Sequence, residues 1–115
     1  MIFGRFYIAE VKNSAADYLS RFSHLHKYYL SETAFSTLIN LIPFDLNIDL
    51  FASKDNFKIT SYASLMFDEK AKFSNAFSAV WCSGSYLFPP LPLISKVVSK
   101  LFRDDVDSAV LITPA

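Results

Sequence analysis

The spacing of apolar and polar residues changes several times along this chain, and each change marks a different element. Residues 5–11, RFYIAEV, are rich in β-formers and predict a short strand with one buried face. Asn13 or Ser14 can cap a helix over AADYLSRF, where Ala15, Ala16, Leu19 and Phe22 recur at helical spacing. Residues 23–30, SHLHKYYL, follow no period and read as a connector. Ser31 is the expected N-cap of a second helix, whose stripe of Ala34, Phe35, Leu38, Ile39 and Ile42 is stopped by Pro43. In FDLNIDLFAS, Leu46, Ile48 and Leu50 then alternate with Asp45, Asn47 and Asp49. That is the period of a strand, and it puts Asp49 near the strand's C-terminal end.

The second half is more broken. KDNFKITSYAS reads as a turn followed by an extended piece, and residues 68–72 as a charged loop or short helix. AFSAVW is apolar enough to pack, Ser83-Gly84-Ser85 interrupts it, and the strand-like YLF is ended by Pro89-Pro90. Pro92 suits a first helical turn, and Leu93, Ile94, Val97, Val98 and Leu101 form one face of a helix reaching about Arg103. Lys100 and Arg103 favour its C-terminal dipole. A polar turn of Asp104, Asp105 and Asp107 leads into a buried strand, AVLIT. Strand, proline turn, helix and strand make a βαβ unit near the C-terminus. The fold class expected is α/β, a small incomplete sheet of two or three layers, without internal repeats or low-complexity tracts.

Composition narrows the function classes. A chain of 115 residues makes one small domain, able to bury somewhat over ~60% of its unfolded surface. With 52% hydrophobic residues, 12 Phe and 6 Tyr, a packed interior is expected rather than disorder. Eleven basic and eleven acidic side chains cancel, leaving no net field to gather phosphate backbones or an anionic membrane. Cys82 is the single cysteine, which excludes an internal disulfide and a cysteine-built metal site; a half-buried thiol in a reducing compartment is expected. No apolar run approaches the ~18 residues of a membrane span, and Arg5 and Glu10 interrupt the N-terminal stretch. A soluble intracellular chain without a signal peptide, cytoplasmic or nuclear, is therefore expected. Its abrupt opening and ending suggest a segment of something larger.

No complete set of reactive residues can be assembled. His24 and His26 lie in the connector without a third metal ligand or a nucleophile motif beside them. Only Gly4 and Gly84 exist to let a backbone approach phosphate, and neither belongs to a GxGxxG or Walker pattern. Two-metal phosphodiester chemistry needs several carboxylates around magnesium ions roughly 3.5 to 4 Å apart. Asp17 is a candidate for one of them, or else an exposed acid in a helix's first turn.

The segment NSAADYLSR around Asp17 resembles the closing motif of the ribonuclease H domain in retroelement polyproteins, of gypsy-like and DIRS-like kinds. The blocks IDLFASKDN, YAS, NAFSAVW, YLFPPLPLISKVVSK and AVLITP look like the region that follows ribonuclease H in DIRS-like tyrosine-recombinase retroelements. Together they span nearly the whole chain, with Phe67-Asp68-Glu69 departing from the family's usual Asp-Pro. That downstream region is similar in turn to phage-type DNA adenine methyltransferases, which carry an Asp-containing strand end and a polar residue before Pro-Pro-aromatic.

The resemblance implies three parts: residues 1–22 as the tail of a ribonuclease H-like domain, 23–43 as connector and helix, and 44–115 as a truncated methyltransferase-like α/β segment. It makes Asp17 the last metal-binding carboxylate of the parent site, holding magnesium only there, because Glu10 alone precedes it among the acids. In the methyltransferase-like part the tetrapeptide is Phe88-Pro89-Pro90-Leu91. Phe88 cannot accept a hydrogen bond from a flipped adenine, and Leu91 replaces the stacking aromatic. The turn Phe51-Ala52-Ser53 lacks the glycine that S-adenosylmethionine binding would want. Asp49 and Asn56 are the candidate cofactor contacts if such a site survives.

The leading expectation is thus a non-catalytic polyprotein fragment that needs no cofactor of its own. Its partners are the rest of the polyprotein, and nucleic acid only through the parent. The alternatives are a degenerate adenine-methyltransferase-like domain binding S-adenosylmethionine, and a domesticated protein-interaction module whose apolar patch lets it self-associate. Cut off from ribonuclease H neighbours, the strand at residues 5–11 is expected to be an orphaned edge.

Overall fold

A computed structural model describes residues 2–3, 6–11, 32–52 and 57–114. Their elements run β1 (Ile2–Phe3), β2 (Phe6–Val11), α1 (Glu32–Leu41), β3 (Ile48–Leu50), β4 (Tyr62–Ala63), β5 (Ser85–Leu87), α2 (Ile94–Arg103) and β6 (Ala109–Pro114). The strands form one sheet in the order β1-β2-β6-β5-β3-β4, in which only the β1–β2 pair is antiparallel. The chain is an α/β fold, and among the described residues no helix is long and apolar enough to cross a membrane.

Each face of the sheet has its own core. Ile48, Leu50, Leu87, Ala109 and Leu111 point to the face covered by Val97 and Leu101 of α2, together with Ala76 and Trp81. Tyr86, Val110 and Ile112 point to the other, under Phe35 and Leu38 of α1. This is the three-layer alternative, with both faces of the parallel strands buried. Steps from β2 to β3 and from β3 to β4 go one way across the sheet, carrying α1 and Ile59 on the face of Tyr86, Val110 and Ile112. Steps from β4 to β5 and from β5 to β6 go the other way, carrying residues 76–81 and α2 on the opposite face. Reversing both direction and face keeps one hand throughout, as parallel crossovers require.

The βαβ unit forms as its sequence predicts. Pro89-Pro90 takes the chain out of β5 into a short 3-10 turn, Leu91–Leu93, with Pro92 in it, before α2 begins at Ile94. At the far end of α2, Asp105 adopts a left-handed φ of 52°. The amides of Asp105 and Val106 then reach back to the carbonyls of Phe102 and Leu101 (3.2 Å each), the Schellman pattern that satisfies the last carbonyls of a helix. Val106 is buried against the same core as Leu101, so the cap also closes the hydrophobic layer.

Four expectations need correction. The strand predicted at residues 45–50 begins only at Ile48. The backbone amide of Asn47 donates to Gly84 O (2.7 Å) and its side-chain amide to Ser83 O (3.1 Å), breaking the alternation, so Leu46 packs on the α1 face while Ile48 and Leu50 pack on the other. The apolar stripe of α1 is narrower than its sequence suggests: Phe35 and Leu38 are buried, whereas Ala34 is exposed and Ile39 is 46% exposed. The strand at residues 6–11 packs on both faces, Phe6 and Ile8 on one and Tyr7 and Ala9 on the other. It is not orphaned, since it pairs with β6 from Phe6↔Ala109 to Val11↔Pro114 and with β1 at Phe6 and Tyr7.

Candidate functional site: the C-terminal edge between β3 and β5

The neighbours β3 and β5 send the chain in opposite directions, to β4 and to β6. In open α/β sheets ligands bind in the crevice outside the C-terminal ends of strands that diverge in this way. On the β3 side stands Phe51, whose φ of 66° lies in the left-handed region. The backbone thus makes the kind of turn for which a glycine is wanted, but with a phenyl ring attached. That ring meets Phe77 (centroids 5.3 Å apart) and Trp81 (5.8 Å) edge-on. The amide of Ala52 donates to Ala63 O at 3.0 Å and fastens the turn to β4.

On the β5 side, Phe88 is 6% exposed and belongs to the core under α1, with Tyr86, Phe35 and Val110. Pro89 and Pro90 are buried, whereas Leu91 is 41% exposed. The first position of the tetrapeptide is therefore a core residue, and the prolines form the bend from strand to helix.

Behind the aromatic cluster lies a polar network that sequence reasoning missed. Nζ of Lys100 is 2.8 Å from Oδ2 of Asp104, with the two side chains only 5% and 8% exposed. Lys100 also sits over the Trp81 ring, 5.2 Å from its centroid, and Lys96 sits 4.3 Å from the Phe77 centroid. The Trp81 backbone amide donates to Asp104 Oδ2 (2.9 Å), and its indole Nε1 donates to Ala76 O (2.7 Å). Burial pushes the Asp104 carboxyl up, but the hydrogen bonds from Lys100 and Trp81 and the charges of Lys100 and Arg103 outweigh it and hold it below the usual carboxylate range. The signal available in the sequence was the i,i+4 spacing of Lys100 and Asp104.

Asp49 occupies the middle of β3 and is 3% exposed on the α1 face. It lies in register between Tyr62 of β4 and Tyr86 of β5. Residues 57–61 cross this face as a strap, and the Lys58 amide donates to Asp49 Oδ2 at 2.6 Å. Burial raises the Asp49 carboxyl to about 7, offset only in part by the Lys58 and Ile59 amides and by the Lys58 charge. A carboxyl titrating near neutrality has the proton affinity of a general acid or base. Here it is engaged by the strap and out of a substrate's reach.

Asp17, Asn56, His24 and His26 lie outside the described residues. Among the described residues no group of three His, Cys, Asp or Glu side chains is placed to hold a metal ion. Cys82 is exposed rather than half-buried, because turning Trp81 into the core turns its neighbour outward. Neither a protein-family profile, nor a curated protein, nor a solved structure matches this chain.

Proposed function

We propose that this chain is a non-catalytic segment of a retroelement polyprotein, a methyltransferase-like α/β layer structure that serves as scaffold and has lost its reactive edge. The observation that carries the reading is the burial of Phe88 in the core. In the enzymes its tetrapeptide resembles, that position holds a polar group that binds the target base; here a phenyl ring packs inward and the position stabilises the fold instead. Phe51 supports the same reading, since it keeps a glycine-type turn while filling it with a ring that packs on Phe77 and Trp81.

Calorimetric titration with S-adenosylmethionine, paired with a methylation assay on adenine-containing DNA, tests the proposal. No heat and no methyl transfer are expected, and micromolar binding would restore the enzyme alternative. Magnesium-dependent hydrolysis of an RNA/DNA hybrid, abolished by Asp17→Asn, would overturn it from the other side.

The interaction-module reading has one observation in its favour. Phe67 is 85% exposed, Val80 78% and Met66 58%, apolar surface of the kind that neighbouring polyprotein segments or a second copy would cover. Light scattering behind size exclusion separates the two: a monomer supports the scaffold fragment and a stable dimer the module.

A further inference from the structure

The α1 face carries a groove of about 660 Å³ between the helix and the strap, lined by Phe35, Ile39 and Leu46 on one side and Lys58, Ile59 and Thr60 on the other. The strap is anchored at one end by the Asp49 backbone, whose amide donates to Ser61 O (3.0 Å) beside β4. Over its remaining length it is held by Phe57 stacked on Tyr62 (centroids 5.1 Å apart, planes 11° from parallel), by Ile59 against the core, and by the bond from the Lys58 amide to the Asp49 carboxyl. One wall of the groove therefore rests on a buried acid.

We propose that the strap is a pH-sensitive wall: ionisation of Asp49 drives residues 57–60 off the sheet, hinged at Ser61, and opens the groove toward α1. The physical basis is the cost of a carboxylate in a site that is 3% exposed. Two amides can lower that cost, but water can lower it further, and only by displacing the strap. A conformation in which the carboxyl meets solvent has the lower pKa, so rising pH favours it by linkage. In the closed form burial outweighs the amides and brings the carboxyl to about 7, which puts the transition near neutrality.

Among the described residues, the groups that face Asp49 come from the strap, the two neighbouring strands and the helix above. The strap contributes Lys58, β4 contributes Tyr62, whose hydroxyl donates to Asp68 (3.2 Å to each oxygen), and β5 contributes Tyr86. Helix α1 buries Phe35 and Leu38 on this face, neither of them titratable, and Asp45 lies along the groove. Lys54 and Asp55 lie outside the described residues.

Amide hydrogen exchange of Lys58, Ile59 and Thr60, corrected for intrinsic rates, tests the proposal. Protection in the wild type is expected to fall about tenfold or more between about pH 5.5 and about pH 8.5, and to stay level in Asp49→Asn. Equal wild-type protection at both pH values, or the same fall in the variant, would overturn it. If Asp49→Asn does not fold, the Asp49 Cγ shift of the wild type decides. A midpoint near neutrality, followed by the Lys58 amide, supports the switch, and a midpoint in the ordinary carboxylate range overturns it.

Discussion

The Trp81 backbone amide and the Asp104 carboxylate, 23 positions apart in the chain, are joined by a 2.9 Å hydrogen bond, and the accepting oxygen is also 2.8 Å from Nζ of Lys100. One carboxylate thus ties the connector before β5 to the last turn of the helix after it. Asp104→Ala would leave the Lys100 ammonium buried without its anion and the Trp81 amide without its acceptor. We expect a loss of about 3 kcal/mol in urea denaturation, with Asp104→Asn losing less because it keeps an acceptor. A loss below about 1 kcal/mol would mean that the pair behaves as an exposed ion pair.

Asp49 and Asp104 make stability depend on pH in opposite senses. The folded pKa of Asp49, about 7, lies above the ordinary carboxylate value of 3.8. Its stabilising contribution is therefore full below about pH 4 and is lost as pH rises through 7, on the order of 4 kcal/mol in all. Asp104 is held low, so its contribution is present above the ordinary carboxylate pKa and disappears as pH falls through the folded value. Urea midpoints measured across this range should peak in mildly acidic solution and decline toward neutrality, and Asp49→Asn should remove that decline. A wild-type midpoint unchanged between about pH 5 and about pH 8 would contradict the assignment.

Phe51 sets backbone strain against ring packing at a single position. Both Phe51→Ala and Phe51→Gly lose the contacts with Phe77 and Trp81, but only glycine adopts a φ of 66° without a Cβ penalty. The glycine variant should therefore be the more stable of the two by about 1 kcal/mol, reversing the usual order. Both should fall below wild type, since each aromatic pair contributes about 1 kcal/mol beyond burial. Thermal denaturation of the three proteins gives the ranking, and an alanine variant at least as stable as the glycine variant would show that the turn carries no strain.

How much of this is legible in the sequence depends on whether the determining contacts are local. The β5–α2–β6 unit is legible because prolines mark its first bend, Val97 and Leu101 repeat at helical spacing, and Ala109 to Ile112 are buried on both faces, so no register has to be chosen. The stretch before β3 misleads because Asn47 hydrogen-bonds to Ser83 and Gly84, far along the chain, and no alternation rule contains that partner. The same holds for Asp49. Its place in an alternating pattern suggests a solvated side chain, whereas the strap that buries it arrives from residues 57–61. Phe88 is the converse case: its chemistry alone argues against base recognition, but its role in the core needs α1 overhead.

Gly84 concentrates that non-local dependence in one residue. Its amide donates to Ser108 O (2.8 Å) and its carbonyl accepts from Asn47 (2.7 Å), so it joins the chain entering β5 to the chains entering β6 and β3. Its φ is 79°, and a Cβ added there would lie 2.5 Å from Asn47 Nδ2 and 2.7 Å from Asp45 O. The Asn47 side chain could swing away at the expense of its bond to Ser83 O, but the Asp45 carbonyl is backbone and can move only with the entry to β3. Gly84→Ala should therefore cost about 3 kcal/mol, combining left-handed strain with overpacking. Adding Asn47→Ala should recover only part of this, because it removes one of the two clashes. Urea denaturation of the single and double variants measures both terms, and full recovery in the double variant would mean that the Asp45 backbone yields easily and the junction is looser than its geometry indicates.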